Sequence, residues 1–241
     1  MTSWEFPTSD PVDLQVRIPA GDVTVTAGPT QVATVRLEAS GRGGEEMLAA
    51  TRVEFDQGLL SVIAPERSGF LRGGSIDAVV QLPEASSCLV DTASADVSCT
   101  GDLSSAELRT ASGDVSVERV SGPAKIATAS GDVYVGAAAE VTANTASGDL
   151  SIERADGDVA VTTASGDVQV NSASGQRVDV KATSGDISIA VTPGIGVYLD
   201  ISTLSGTVSS ELEPTDESGG AEMTLYCRTI SGDVRIQRAT R

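Results

Sequence analysis

Thr110-Ala111-Ser112-Gly113-Asp114-Val115-Ser116-Val117 is followed, 18 residues on, by Thr128-Ala129-Ser130-Gly131-Asp132-Val133-Tyr134-Val135. The same residue types fall at the same offsets, and the pattern extends in both directions. The tetrad Ser-Gly-Asp-aliphatic, or a close variant, begins at Ser94, Ser112, Ser130, Ser147, Ser165, Ser184, Ser205 and Ser231, with intervals of 18, 18, 17, 18, 19, 21 and 26 residues. A short, nearly constant period signals units that bury their apolar faces only by stacking on one another.

The third position after each Ser reads Val97, Val115, Val133, Leu150, Val168, Ile187, Val208 and Val234. The fifth reads Cys99, Val117, Val135, Ile152, Val170, Ile189, Ser210 and Ile236. A spacing of two places both columns on one face of a strand. Ahead of the Ser, alternating sets such as Ala124/Ile126/Thr128 and Val159/Val161/Thr163 define a second strand with its own inward face. The sequence therefore predicts an all-β fold, a parallel β-solenoid (β-helix) of about eight regular two-strand coils of ~18 residues, with parallel neighbours about 4.8 Å apart. A column of Thr at 92, 110, 128, 145, 163, 203 and 229, broken by Ala182, is expected inside. Glycines in the Ser-Gly-Asp turn, and again at Gly122, Gly157, Gly175 and Gly194, mark turns where positive φ is expected. A three-hexapeptide coil is excluded, because stepping by six from Val115 lands on Ser121 and Ala127.

Residues 88–241 form the regular part. Residues 1–87 lack the period but share its grammar, as in Ile18-Pro19-Ala20-Gly21-Asp22-Val23, and are read as degenerate early coils or a capping sheet continuous with the rest. Glu45–Arg52 is the one short helix expected; Arg67–Gly74 and Glu211–Ala221 read as loops. The chain holds only three Phe, three Tyr and one Trp, so its interior must be built from aliphatic residues, Ala and Thr.

The formal charge of −18 repels phosphate backbones and anionic headgroups, so neither nucleic acid nor membrane insertion is expected. Met1–Pro7 has no basic n-region and no apolar run follows it, so the chain as encoded reads as cytoplasmic, with a cell-surface or secreted location if a leader was removed. Cys88, Cys99 and Cys227 fall on otherwise apolar columns and are expected to be buried thiols.

With no His anywhere in the chain, Ser-His-Asp and Cys-His catalysis is excluded. No Gly-Lys-Ser/Thr phosphate loop occurs, and sugar platforms in the regular coils are limited to Tyr134, Tyr198 and Tyr226. No catalytic residue and no cofactor is expected. The most chemical feature is the column Asp96, Asp114, Asp132, Asp149, Asp167, Asp186 and Asp233, with Thr207 replacing one member. Such an edge could attract Ca2+ weakly, yet the glycines of a calcium-binding roll are missing; the expectation is that each Asp accepts backbone N–H bonds to hold its own turn.

The Thr-Ala-Ser-Gly-Asp-Val units, following Ile-Pro-x-Gly-Asp-Val-Thr-Val at residues 18–25, resemble a bacterial family of β-strand-repeat candidate adhesins, a domain of unknown function common in actinobacteria. The resemblance spans nearly the whole chain. It implies a parallel β-solenoid with an envelope-related or adhesin-like role, and brings no catalytic residues. The expected function is a non-enzymatic structural or interaction module, a β rod presenting turn edges and loops to a protein partner. The alternative is a calcium-dependent or carbohydrate-directed surface protein, with a polysaccharide lyase behind it. Because Val234–Gln237 is the last strand in the sequence, it is expected to form an uncovered terminal coil that takes a homodimer or a docked partner, the alternative being a monomer in which Arg235, Arg238 and Arg241 blunt the open edge with charge.

Overall fold

The computed structural model describes residues 1–65, 73–212 and 222–240. It is all-β apart from one short helix, and all of its strands join a single sheet. The repeat stacks as its alignment predicts. β10 (Ser105–Ser112), the first wall of one rung, pairs in parallel with β11 (Val115–Ser130), setting Ser112 beside Ser130. β11 then pairs with β12 (Val133–Ser147), setting Val115 beside Val133 and Val117 beside Val135. Val115 and Val117 are fully buried, as the two-residue spacing requires. The stack continues through β13 (Leu150–Ala155), β14 (Val159–Ser165), β15 (Val168–Ala173), β16 (Arg177–Ser184) and β17 (Ile187–Val191).

The Thr column lies inside. Thr110, Thr128, Thr145, Thr163 and Thr229 are buried, and each hydroxyl donates to the carbonyl of the Ser two residues later, at 3.0–3.2 Å. Two members depart from this: Thr203 is only half-buried and donates to the Gly232 carbonyl at 3.2 Å, and Thr92 has its Oγ1 buried and unpartnered. Its turn carries Ala95 where the others carry glycine, and Ala95 does not adopt the positive φ of its neighbours.

In the Ser-Gly-Asp turns the glycine is required twice over. Gly131 has φ +133°, and a Cβ there would lie 2.1 Å from the carbonyl oxygen of Gly113 in the adjacent rung. At Gly122, Gly157 and Gly175 the expected positive φ is absent. These glycines are needed for close approach alone, since a Cβ at Gly157 would fall 2.2 Å from the Ala139 oxygen.

At the N-terminal end, β2 (Asp13–Ala20) and β3 (Val23–Gly28) form a parallel rung laid directly on β8 (Ser87–Ser94) and β9 (Val97–Leu103). β6 (Leu59–Ile63) and β7 (Gly73–Pro83) lie beyond it. The end is closed by antiparallel strands: β1 (Thr2–Pro7) on β4 (Val32–Arg42), β4 on β7, and β5 (Arg52–Asp56) on β6. Helix α1 (Gly44–Ala50) falls where the sequence places it, with Met47 and Leu48 buried. Phe6 and Phe55 meet at 5.3 Å between ring centroids, so scarce aromatic area is spent sealing this end.

The C-terminal end corrects the expected order. β20 (Glu222–Ser231) pairs with β16, and β21 (Val234–Arg238) with β17, so the last coil in the sequence is inserted into the stack. The terminal rung in space is the preceding one, β18 (Gly196–Ser205) on β20 and β19 (Val208–Ser210) on β21. Ile236 is consequently fully buried. Arg238 donates to the carbonyls of Thr192 and Ile195 instead of standing free as a blunting charge. Of the two expected loops, 67–72 and 213–221 lie outside the described residues, whereas Gly73 and Gly74 belong to β7.

Candidate functional site

The aspartate column forms a continuous edge. Except at Asp96, which follows Ala95, the Asp comes directly after a positive-φ glycine, and in all seven the carboxylate Oδ1 accepts the backbone N–H of the equivalent residue one rung away. Asp114 donates to Asp96, Asp132 to Asp114, Asp149 to Asp132, Asp167 to Asp149, and Asp186 to Asp167, at 2.8–2.9 Å. The bonds follow stacking order rather than sequence order: Asp233 donates to Asp186 and Thr207 donates to Asp233. The carboxylates thus clamp one rung to the next, whereas the sequence suggested that each would hold its own turn. The ladder's backbone bonds run alongside, for example Val115 N–H to the Asp132 carbonyl at 2.9 Å.

Magnitudes explain why stacked like charges persist. Two carboxylates about 4.8 Å apart repel by about 1 kcal/mol with the screening of bulk water and by about 3.5 kcal/mol with that typical of a protein surface. A hydrogen bond to a charged acceptor returns roughly 1.5–3 kcal/mol, which is of a size to offset that repulsion. All seven predicted Asp residues share this edge, and the structure adds Asp22 and Asp77, whose Oδ1 accepts the Asp22 N–H at 3.0 Å. Gly21-Asp22-Val23 carries the turn grammar and could have been read as a member. Asp77 has no preceding glycine and left no such signal.

Beside this edge runs an open groove of about 690 Å³, bounded by Asp22, Asp96, Asp114, Asp132, Asp149 and Asp167 and by the outward row Thr24, Ser98, Ser116, Tyr134, Ser151 and Gln169. No Lys or Arg lines it, so the groove offers carboxylates, hydroxyls and one exposed ring. Among the described residues no group of three or more His, Cys, Asp or Glu is placed to hold a metal ion together.

The other wall has a different chemistry. Near the C-terminal end the Arg177 guanidinium sits 4.4 Å above the Tyr226 ring and pairs with Asp179, which also meets Lys181 at 3.3 Å. Burial pushes the Asp179 carboxyl up, but the hydrogen bonds and charges of Arg177 and Lys181 outweigh it and hold the group below the usual carboxylate range. The three cysteines are buried and free, as their columns predicted. Burial, with the nearby Asp179 charge, pushes the Cys227 thiol up to about 12. The neighbouring Cys99 and burial raise Cys88. These are inert sulfurs, not nucleophiles.

The profile of the family described as Toastrack DUF4097 matches residues 20–241. A crystal structure from Bacteroides fragilis described as a candidate adhesin aligns with 98% of this chain and 96% of its own, at TM-score 0.56 and 10% identity. One from Parabacteroides distasonis described as a candidate lipid-binding protein aligns over the same shares, at TM-score 0.56 and 15% identity. Among curated proteins none matches. At these identities the solved structures share the fold with this chain. No helix among the described residues is long and apolar enough to cross a membrane.

Proposed function

This chain belongs to the Toastrack DUF4097 family, and from that premise we propose that it is a non-enzymatic interaction module: a rigid parallel β-solenoid of about eight two-strand coils that presents its aspartate edge and the adjoining groove to a partner protein. The observation that carries the reading is the carboxylate ladder. Backbone N–H bonds fix one oxygen of each Asp, so these exposed carboxylates stand in a regular row, one per rung. A preorganised acidic row beside a groove without cations suits a partner surface bearing Lys or Arg, since such complementarity steers encounter and sets register. The adhesin and lipid-binding descriptions attached to structures of like fold agree with a surface or interaction role in general terms; the specific reading rests on the edge.

The test is affinity capture from the native host with the wild-type chain and with Asp114→Asn, Asp132→Asn and Asp149→Asn combined. Asn keeps an acceptor oxygen for the inter-rung bond while removing the charge. Specific capture that weakens with salt and is lost in the triple variant supports the reading; capture indifferent to the triple variant overturns it. Calorimetric titration with Ca2+ separates the alternative, because saturable binding at the edge would favour a calcium-dependent surface protein.

A further inference from the structure

The two ends of the stack are finished differently. The N-terminal end is sealed by antiparallel strands, a helix and an aromatic pair. At the other end, among the described residues, β18 pairs on one edge only, with β20, and β19 only with β21. Val197, Leu199 and Ile201 occupy inward columns whose counterparts Leu225 and Cys227 in the next rung are fully buried, yet they are only half-buried. Val208 opposite is 45% exposed. Gly196–Ser205 contains no Pro, Lys or Arg, the residues that ordinarily blunt an open edge. Its one charged residue is Asp200.

We propose that this open rung is a homodimer interface, in which β18 pairs antiparallel with β18 of a second copy about a two-fold axis at Leu199. The self-association expected from the sequence thereby moves from the buried C-terminal coil to the rung that ends the stack. The occupant is a second copy because the strand is self-complementary about that residue. Val197 meets Ile201 and Leu199 meets itself on the inward face; Tyr198 meets Asp200 and Gly196 meets Ser202 on the outward face. The phenol hydroxyl is thus set beside the lone carboxylate. Centring the pair one residue later would oppose two Asp200 side chains with Cβ atoms about 5 Å apart, which is unfavourable. About that axis the pairing spans Gly196–Ser202, and seven residues at about 3.3 Å each, across a cross-section about 20 Å deep from two walls about 10 Å apart, give roughly 460 Å² per copy, about 900 Å² in all. That is the size of a weak, transient interface, so the dimer is reversible and forms toward the upper end of the micromolar range.

Sedimentation velocity on the full chain, from low to high micromolar concentration, tests this. The wild type should move from monomer toward twice the 24.5 kDa of one chain. Leu199→Lys and Leu199→Glu, which place like charges on the axis, should each remain monomeric with unchanged circular dichroism, and an equimolar mixture should recover the dimer. Leu199→Cys gives a measurement that does not depend on tolerating a charge. Paired residues on the axis lie within disulfide reach, so oxidised glutathione should link two chains through this cysteine, the three native thiols being buried. A wild type that stays monomeric, a dimer that survives in either charged variant, a folded mixture that fails to reassociate, or no cross-link at Leu199→Cys overturns the proposal.

Discussion

Replacing Gly131 with Ala tests the stacking argument at its tightest point. A Cβ there lies 2.1 Å from the Gly113 oxygen and 2.6 Å from its carbon, at φ +133°. A non-bonded carbon and oxygen settle more than an ångström further apart, so either the residue leaves its conformation or the two rungs separate. Leaving the left-handed region for a residue with a side chain is worth about 1–2 kcal/mol. Separation strains the Asp132 N–H bond to Asp114 at 2.9 Å and the Gly113 N–H bond to the Ser130 carbonyl at 3.1 Å. At about 2 kcal/mol for the charged acceptor and about 1 kcal/mol for the neutral one, the expected loss is about 3–5 kcal/mol. That is a large share of the 5–15 kcal/mol typical of a folded domain. Urea unfolding followed by circular dichroism should show a lower midpoint with the slope retained. Ala95→Gly is the control. This turn already accommodates a side chain, so added backbone freedom should cost only about 0.5–1 kcal/mol. A Gly131→Ala loss below about 1 kcal/mol, smaller than the strain of positive φ alone, would refute the reasoning.

Asp132→Asn should leave stability unchanged or raise it by up to about 1 kcal/mol through relief of like-charge repulsion, while Asp132→Ala should lose about 1–2 kcal/mol with the acceptor for the Asp149 N–H; equal losses in urea melts would remove the clamp from the account. The three thiols should resist a maleimide at pH 8 in the native protein and react on unfolding, the Cys227 thiol being pushed up to about 12 in the fold; mass-spectrometric labelling of the folded chain would contradict their burial. Because the Asp179 carboxyl is held below the usual range, its ion pairs stabilise the fold above the unfolded carboxylate pKa and are lost as pH falls through the lower, folded value. The stability gap between wild type and Asp179→Asn should therefore be present at neutral pH and close in acid; a gap that widens on acidification would reverse the assignment.

Much of the architecture was legible because stacking copies residue types into columns. The pairs Ser112 with Ser130 and Val115 with Val133 and the burial of the cysteines follow from offsets alone, whereas the place of α1 follows from the local run Glu45–Arg52. The order of the rungs was not legible, since a parallel ladder accepts any coil of matching pattern. Residues 13–28 lie on 87–103 across 74 positions, and 222–238 displaces 196–210 from the β16–β17 edge. A trace of that order is present in the terminal coil, where Ser210 stands in an aliphatic column, Thr207 replaces Asp, and Leu204 replaces the usual Ala. A rung with no neighbour on one side needs fewer inward apolar residues. The aspartates were found, but their bonding direction was hidden because a bond within a turn and a bond between rungs call for the same residue.

The insertion of β20–β21 between older rungs also shapes how the chain is made. Synthesis delivers 196–210 before 222–238, so the nascent chain reaches a stage at which β16 and β17 each show an open edge and β18–β19 are the only matching strands available. Docking there is a pairing that must dissolve before 222–238 can take its place. This end of the stack is therefore completed only once 222–238 is available, and a chain cut short before Glu222 would hold the wrong rung with nothing to displace it.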